Sequence, residues 1–256
     1  MSITIKNGSD IEKLRVGGKR HARILRELAK AVRPGVTAKE LDTLAEKLIR
    51  EGGDVPSFLN YTPEGISYPY PASLCVSVND EIVHGIPHED LVLQEGDVVS
   101  LDMGVTHEGM VTDAAITVPV GKISKEAEEL LRVTQESLRV GIEASVVGNT
   151  TGDIGHAIES YIHSQGKFGI VRILAGHGVG YSVHEDPYIP NFGDAGEGEK
   201  LRAGMVIALE PMVTLGGDDA AVCEDEYTYV TEDGSLSAHF EHTILITENG
   251  PEILTQ

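Results

Sequence analysis

The feature that most constrains this chain is an internal repeat. The pattern L-x-x-G-x-V-V-x-L-D at residues 93–102 returns as L-x-x-G-x-V-I-x-L-E at residues 201–210. A second pattern, at residues 35–53, returns at residues 148–166 with an offset of 113 positions. Repetition on this scale is typical of structural units that bury their apolar faces against one another. We therefore predict a single domain over residues 1–256, with pseudo-symmetric halves at about 10–120 and 124–250.

Hydrophobic periodicity predicts helices and antiparallel strands in each half. A capping-box pattern at Ser9–Glu12 opens a helix that runs to about Val32. A second capping box, Thr37–Glu40, opens a helix that ends at Gly52, and two further helices are predicted at about 124–141 and 150–164. Strands are predicted near residues 74–78, 98–105, 110–118, 170–175, 182–184, 205–213, 226–231 and 239–247.

Four acidic residues stand inside these strand patterns. Asp102 and Asp113 lie in an otherwise apolar hairpin, VVSLDMGVTHEGMVTDAAITV at 98–118, with a turn expected at 106–109. Taken alone, each aspartate is as well explained by a structural role, as an acceptor of hydrogen bonds from a turn or as the partner of a Lys or Arg, as by a functional role. The repeat favours a different explanation. Glu210 occupies the position equivalent to Asp102, and Glu241 lies in a further strand pattern, HFEHTILIT.

These four carboxylates are expected to converge, and converging charges need compensation. The neighbouring strands contain few Lys or Arg residues, whereas His84, His177 and His184 stand close by in glycine-rich contexts. A lone histidine is more often structural, but carboxylates with imidazole and without thiolate suit Mn, Fe, Co or Zn. We therefore predict a centre for two divalent metal ions, which together lower the pKa of a water molecule and polarise a carbonyl. This prediction requires Asp102 and Asp113 to point to the same face of their hairpin.

The motifs that carry these residues resemble those of a known family. They are HGIP at 84–87, GHGVGYSVHEDP at 176–187, IALEPM at 207–212 and SLSAHFEHTILIT at 235–247. They are similar to the motifs of the type I methionine aminopeptidases, in the short bacterial form, of peptidase family M24. The resemblance implies an α+β fold, the pita-bread (creatinase/aminopeptidase) fold, with two halves around a central curved sheet. It also implies a methionyl aminopeptidase, which removes the N-terminal methionine of nascent proteins when the second residue is small.

The resemblance also implies a role for each matching residue. The implied metal ligands are Asp102, Asp113, His177, Glu210 and Glu241. In that arrangement Asp113 and Glu241 bridge two ions, Asp102 binds one of them with both oxygens, and Glu210 also carries a proton.

Two histidines are implied as catalytic residues, together with Glu210. His184 would stabilise the carbonyl oxygen as it gains charge. His84 would contact the scissile amide nitrogen and help proton transfer.

The implied pocket for the methionine side chain contains Tyr70, Cys75 and Tyr227. A free cysteine suits a thioether neighbour, although Cys75 on residue type alone is as well explained as ordinary core. Val183 and Tyr227 stand where bacterial members of the family often have Phe and Trp, and the loop at 61–71 also differs. These departures are expected to alter the width of the pocket.

Charge is distributed unevenly along the chain. The net charge is −21, yet residues 1–50 hold 12 Lys or Arg against 6 Asp or Glu. A basic stripe on the first helix comprises Arg15, Lys19, Arg23, Arg26, Lys30 and Arg33. It is either a solvated face or a surface that docks on ribosomal RNA.

No apolar run is long enough for a membrane helix, and MSITIKNGSD does not have the layout of a signal peptide. We therefore expect a cytoplasmic monomer that contacts no membrane.

Two other functions remain open from the sequence. One is a different pita-bread hydrolase, such as an X-Pro aminopeptidase or prolidase. The other is a non-catalytic relative that binds peptides or RNA, for which loss of a metal ligand or of His84 or His184 is expected.

Overall fold

A computed structural model describes residues 3–63 and 65–256, so that Met1, Ser2 and Glu64 lie outside the described residues. The helices are α1 (Gly8–Ala31), α2 (Ala38–Glu51), α3 (Lys125–Ala144) and α4 (Thr151–Gln165). The strands of the first half are β1 (Val55–Pro56), β2 (Cys75–Val78), β3 (Glu81–Val83), β4 (Val98–His107) and β5 (Met110–Pro119). Those that follow α4 are β6 (Gly169–Ile170), β7 (Gly176–Gly178), β8 (Glu185–Ile189), β9 (Val206–Leu209), β10 (Met212–Thr214), β11 (Ala220–Val222), β12 (Tyr229–Thr231), β13 (Ser237–His239), β14 (His242–Thr247) and β15 (Gly250–Ile253).

The helix starts follow local side-chain chemistry. Helix α2 begins with the predicted capping box, in which the Thr37 hydroxyl accepts from the Glu40 backbone N–H and the Glu40 carboxylate accepts from the Thr37 N–H. Helix α4 begins in the same way after Thr150. The capping box predicted at Ser9 is wrong. Helix α1 begins at Gly8, because the Asn7 side chain accepts from the Asp10 N–H.

Equivalent backbone contacts recur in the two halves. The Gly35 N–H donates to the Leu93 carbonyl at 2.8 Å, and at the corresponding positions Gly148 donates to Leu201 at 3.1 Å. An isolated bridge joins Thr37 to Val92, and the equivalent bridge joins Thr150 to Lys200. In each half, the start of the second helix is thus fixed to the loop that precedes β4 or β9. The boundaries at 10–120 and 124–250 stay a prediction that these paired contacts support.

The hairpin of β4 and β5 forms as the sequence predicted. His107 pairs with Met110, and Glu108 and Gly109 between them both have positive φ, as a type I′ turn requires. Asp113 lies opposite Gly104, which is two positions from Asp102. Side chains two apart on a strand, and those directly opposite on its partner, share one face. Asp102 and Asp113 therefore point to the same face, which confirms that prediction.

The strands predicted at 205–213 and 239–247 are each broken in two. Strands β9 and β14 belong to the five-stranded sheet β15-β14-β9-β7-β8, whereas β10 and β13 belong to the three-stranded sheet β13-β10-β6. The chain passes between these two sheets at Glu210-Pro211 and again at Phe240-Glu241. Proline at 211 cannot donate to a ladder, so the first strand ends there. Glu210 and Glu241 thus lie at two sheet crossings, and the prediction that they lie within strands was wrong.

Other strand predictions also needed correction. The segment at 170–175 is a strand only over Gly169–Ile170, and 182–184 is not extended strand but part of the loop before β8. That loop is held by the Glu185 carboxylate, which accepts from the backbone N–H groups of Tyr181 and Ser182. A side chain that bonds nearby backbone groups competes with the sheet ladder. Period-two alternation alone therefore overestimated these strands.

Each pair of helices covers one apolar core. Helices α1 and α2 pack on β2, β4 and β5 around residues such as Leu28, Leu41 and Leu101. Helices α3 and α4 cover β9 and β14 around residues such as Leu130 and Ile158. The two cores meet at Ile116 of β5, which packs against both of them. Within the described residues, no helix is both long and apolar enough to cross a membrane.

Candidate metal centre and active site

The four acids converge although they come from three different structural contexts. Asp102 and Asp113 project from the β4–β5 hairpin, and Glu210 and Glu241 come from the two sheet crossings. The Glu241 backbone N–H donates to the Ala115 carbonyl of β5 at 2.9 Å, which joins the second crossing to the hairpin. The repeat predicted that the four acids converge. They do so although the predicted strands 205–213 and 239–247 are each broken in two.

The cluster leaves carboxylate oxygens without a partner. Asp102, Asp113 and Glu241 are 6%, 3% and 2% exposed, and each has a buried oxygen with no hydrogen bond among the described residues. Burial, and then the charges of neighbouring acids, raises the pKa of Asp113 and of Glu241 well above its ordinary value. Burial raises the pKa of Asp102 to about 7. The protein alone therefore does not stabilise four ionised carboxylates here.

One imidazole completes a set of ligand atoms. Asp113, His177 and Glu241 each offer an atom, and these atoms all lie within 4.8 Å of one another. The Nδ1 of His177 lies 2.9 Å from the Gly178 carbonyl, to which it can donate. This contact leaves the Nε2 lone pair for the cluster, where it lies 3.4 Å from a Glu210 oxygen. A backbone acceptor on one ring nitrogen is the usual support for a metal-binding histidine.

The chemistry of the donor set fits divalent metal ions. Neither Lys nor Arg occurs among the residues that line this cavity in the described part of the chain. Compensating charge must therefore come from protons, which the raised pKa values indicate, or from a bound cation. Oxygen and imidazole donors with orphaned carboxylate oxygens match the second alternative.

The two other predicted histidines line the same cavity from separate loops. His184 lies at the mouth, with its ring centroid 4.5 Å from that of His177. Half-buried His84 has a φ of 59°, a left-handed conformation that is uncommon for a residue with a Cβ. Burial and then the His184 charge lower the pKa of His84 to about 4, so its imidazole is neutral at neutral pH.

The apolar wall of the cavity is formed by Tyr70, Cys75 and Tyr227. The rings of Tyr70 and Tyr227 meet edge to face, with centroids 5.1 Å apart, and Cys75 lies directly across from Asp102 on the neighbouring strand. Val183 packs in the same apolar cluster and does not line the cavity. The cavity volume of about 60 Å³ leaves room for several water molecules and is continuous with the mouth.

Sequence reasoning missed several residues at this site. Phe58, Tyr61 and Pro63 line the cavity from the loop before β2, and Tyr61 contacts His184. His239 is 1% exposed, and its Nε2 lies 3.6 Å from Glu210. A signal for His239 existed, because it stands two positions before Glu241 in SAHFEH. No comparable signal marked the others, since loop residues lack periodicity.

All ten predicted site residues line this one cavity. They are Tyr70, Cys75, His84, Asp102, Asp113, His177, His184, Glu210, Tyr227 and Glu241. Their individual roles stay predictions.

Comparison with known proteins gives a consistent result. The model of metallopeptidase family M24 matches residues 12–248. The chain is 47% identical over 253 residues to a methionine aminopeptidase of Clostridium acetobutylicum, covering 99% of this chain and 98% of that protein. The crystal structure of a methionine aminopeptidase from Thermotoga maritima matches with a TM-score of 0.94, 46% identity and full coverage of both chains. A Xaa-Pro dipeptidase of Bacillus anthracis matches in fold alone, with a TM-score of 0.77 at 24% identity over 62% of that chain.

Proposed function

The chain belongs to metallopeptidase family M24, and from this premise we propose that it removes the N-terminal methionine from polypeptides. It is an aminopeptidase, a hydrolase with the α+β pita-bread fold. The substrate assignment rests on one observation, the set of side chains that line a single cavity. A cluster of buried acids lies beside an aromatic wall that includes a buried thiol, so a thioether side chain and the reacting peptide bond fit side by side.

Divalent metal ions are the cofactors that this family implies. We propose two ions, drawn from Co, Mn, Fe or Zn, held by Asp102, Asp113, His177, Glu210 and Glu241. When bound, such ions polarise a carbonyl and lower the pKa of water to about 7. The orphaned oxygens of Asp102, Asp113 and Glu241 support this assignment.

The side chains around the cluster carry the proton and charge transfers. Water adds to the scissile carbonyl carbon, the C–N bond breaks, and one proton of the water passes to the leaving amide nitrogen. Glu210 takes this proton first, because a carboxylate beside the reacting peptide bond can accept a proton and release it to the leaving nitrogen. His184 donates to the carbonyl oxygen as it gains charge, and His84 contacts the amide nitrogen.

Tyr70, Cys75 and Tyr227 hold the methionine side chain, and the second residue of the substrate must be small. Burial raises the pKa of the Cys75 thiol well above its ordinary value, so the thiol stays neutral and apolar. The edge-to-face rings of Tyr70 and Tyr227 define one side of the pocket. Tyr227, in place of the family's Trp, leaves this side less filled.

A peptide assay with single metals tests the proposal. Metal-stripped protein is incubated with Met-Ala-Ser and with X-Pro peptides, adding Mn, Fe, Co or Zn one at a time. We expect metal-dependent release of methionine from the first peptide only. Glu210→Ala and Asp113→Ala should abolish this release, whereas Glu128→Ala, an exposed acid on α3, should not. Cleavage of X-Pro peptides, or turnover that needs no metal, would contradict the proposal.

The alternative functions are less well supported. The match to an X-Pro-cleaving protein shows the fold alone, and this chain spans less than two thirds of that protein. A binding-only relative is disfavoured because each residue of the implied ligand set, with His84 and His184, is present and lines the cavity.

The basic stripe of α1 supports a proposed site of action at the ribosome. Arg15 and Lys30 form ion pairs with Glu252 and Glu27. Lys19, Arg23 and Arg26 are exposed, and among the described residues none of them forms an ion pair. Three exposed cations on one helical face suit a phosphate backbone. We accordingly propose a cytoplasmic monomer that docks where nascent chains emerge.

Co-sedimentation with ribosomes tests this docking. Reversal of Lys19, Arg23 and Arg26 to Glu should weaken binding in a salt-dependent way. The matched control reverses Lys122, Lys125 and Lys167, which are exposed elsewhere and carry the same total charge. Equal binding by both triple variants would contradict docking through α1.

A further inference from the structure

Tyr61 makes a contact with His184 that the reaction described above leaves unused. The Tyr61 hydroxyl lies 2.9 Å from His184 Nδ1, and the two ring centroids are 5.5 Å apart at an interplanar angle of 46°. Both residues line the cavity, yet they come from loops 123 positions apart in the sequence. The contact therefore joins the loop before β2 to the loop before β8, directly at the mouth of the site.

The backbone around Tyr61 is held in place by reciprocal hydrogen bonds. The Tyr70 N–H donates to the Tyr61 carbonyl at 2.8 Å, and the Asn60 N–H donates to the Tyr70 carbonyl at 2.9 Å. The Tyr61 N–H donates to the Phe58 carbonyl at 2.9 Å. Tyr70 is itself buried in the apolar wall, so the Tyr61 ring is presented to His184 from a fixed segment.

The hydroxyl of Tyr61 is suited to act as a donor. Burial, and then the charge of Asp113, raises its pKa above the ordinary tyrosine value, so the phenol keeps its proton. Within the part of the chain that the structure describes, His184 Nδ1 is the one hydrogen-bond partner of this hydroxyl. With the phenol as donor, its proton has His184 Nδ1 as acceptor, whereas the opposite direction leaves that proton to solvent at the exposed mouth of the cavity.

A donor on Nδ1 determines where the single proton of a neutral imidazole resides. When Nδ1 accepts a hydrogen bond, the ring proton is on Nε2, and Nε2 then becomes a donor. An oxyanion-stabilising group needs an N–H aimed at the substrate oxygen, and only one of the two neutral tautomers supplies it from Nε2.

We propose that Tyr61 is a positioning residue that holds His184 in the tautomer protonated on Nε2, ready to donate to the substrate carbonyl oxygen. This inference rests on the proposed function for the role of His184, whereas the tautomer itself is a property of the protein without substrate. It assigns a role to a residue that is not one of the implied metal ligands.

Nitrogen-15 NMR of histidine-labelled, metal-free full-length protein measures the tautomer directly. The His184 signals are assigned by comparison with His184→Gln, since the chain has ten histidines. We expect a proton on Nε2 in the wild type and a mixture of both tautomers in Tyr61→Phe. Tyr181→Phe is the matched control, because Tyr181 lies on the His184 loop but its hydroxyl contacts Asp10 at 2.7 Å. The control should keep the wild-type signals.

Kinetics on the metal-loaded protein supply the second readout. Complete loss of an oxyanion donor lowers kcat by about 10²–10³-fold, so partial loss of tautomer control in Tyr61→Phe should lower kcat by about tenfold with KM nearly unchanged. Tyr181→Phe should leave both constants at their wild-type values. A wild-type His184 protonated on Nδ1, or a Tyr61→Phe variant with unchanged tautomer and kcat, overturns the inference. If the protein releases methionine while His184 is protonated on Nδ1, the inference about Tyr61 is wrong and the proposed function stands.

Discussion

His21 shows how strongly burial changes the pKa of a side chain in this protein. It lies on α1 with no exposed surface, and its Nδ1 is 3.1 Å from the Thr112 hydroxyl. Its Nε2 has no hydrogen-bond partner among the described residues. Burial, and then the His242 charge, lowers the pKa of His21 from 6.5 to about 3. The folded protein therefore holds His21 neutral at pH values where the unfolded chain takes up a proton.

This shift predicts a specific acid sensitivity. Between pH 6.5 and 3 the unfolded state binds one more proton at His21 than the folded state, so stability falls as the pH falls. At pH 5 the loss amounts to about 2 kcal/mol, since each pKa unit corresponds to about 1.4 kcal/mol. We expect His21→Leu to flatten the decline in unfolding free energy between pH 7 and 5 in urea titrations. His163→Leu, which replaces an exposed histidine of α4, should keep the wild-type slope, and equal slopes for His21→Leu and the wild type would contradict the prediction.

At the residue scale, the sequence predicted most of the site and missed what depends on loops. Asp102 and Glu210 could be found because the repeat aligns them, and the HGIP motif marked His84. Tyr61 could not be found, because its contact depends on how two loops approach one another across 123 positions. A loop tyrosine is also common enough that its residue type carries no signal.

At the level of elements, the sequence predicted the helices better than the strands. Helices α2 and α4 carry their start signals locally, in a capping box that requires only four consecutive residues. The strands at 205–213 and 239–247 were predicted as continuous because their apolar pattern is continuous. The breaks at Glu210 and Glu241 arise from the exchange between two sheets, which is a tertiary feature without a local pattern.

Thr243 joins the two hairpin-bearing halves next to the acidic cluster. Its hydroxyl accepts from the Asp113 N–H at 2.8 Å and donates to the Asp113 carbonyl at 2.7 Å. The Thr243 N–H in turn donates to the Thr255 hydroxyl at 3.1 Å. Since Thr243 is two positions from Glu241, strand β14 is thereby fixed to β5 at the point where both strands approach the cluster.

Replacement of this hydroxyl should weaken both the fold and metal binding. Thr243→Val leaves two hydrogen bonds of the buried Asp113 backbone unmade, so the unfolding free energy should fall by about 1–3 kcal/mol. Metal affinity, measured by calorimetry, should fall by about 10–100-fold, as for other groups that orient ligands. Thr247→Val is the control on the same strand, because its hydroxyl bonds to the Gly250 carbonyl away from the cluster. Wild-type metal affinity in Thr243→Val would show that the bridge does not orient the ligands.

At the scale of the whole molecule, the two halves meet at the acidic cluster. Asp102 and Asp113 come from the first half, and His177, Glu210 and Glu241 come from the second. Cations bound between them would therefore link the halves as well as serve the reaction. The overall pairing of helices with sheets was predictable from the repeat, whereas the exact crossing points were not.

Metal removal should therefore lower the thermal stability of the whole protein in a pH-dependent way. Without metal, the pKa of Asp102 is raised from 3.8 to about 7, so the folded state holds a proton that the unfolded state lacks between these values. The contribution of Asp102 to the unfolding free energy of the metal-free protein therefore falls as the pH rises from 3.8 to about 7. Metal binding displaces the proton, so affinity rises with pH. We expect the gain in Tm on adding Mn or Co to be larger at pH 8 than at pH 6.5.

Differential scanning calorimetry of metal-free and metal-loaded protein at the two pH values checks this prediction. The Asp102→Asn variant has no ionisable group at this position. Its metal-free Tm should therefore change less between pH 6.5 and 8 than the metal-free Tm of the wild type. A gain in Tm that is independent of pH would contradict the prediction, as would full thermal stability without metal.

Contacts between residues 6–18 and residues far along the sequence have a consequence for biosynthesis. The Lys6 N–H donates to the Gly204 carbonyl at 2.8 Å, and Arg15 forms paired hydrogen bonds with Glu252, 237 positions away. A Cβ on Gly18 would lie 2.2 Å from the Leu254 carbonyl oxygen, so α1 needs glycine where it contacts this later segment. Helix α1 therefore acquires these neighbours only after residues 204–254 have been synthesised and have left the exit tunnel. Contacts so distant in sequence form late in folding.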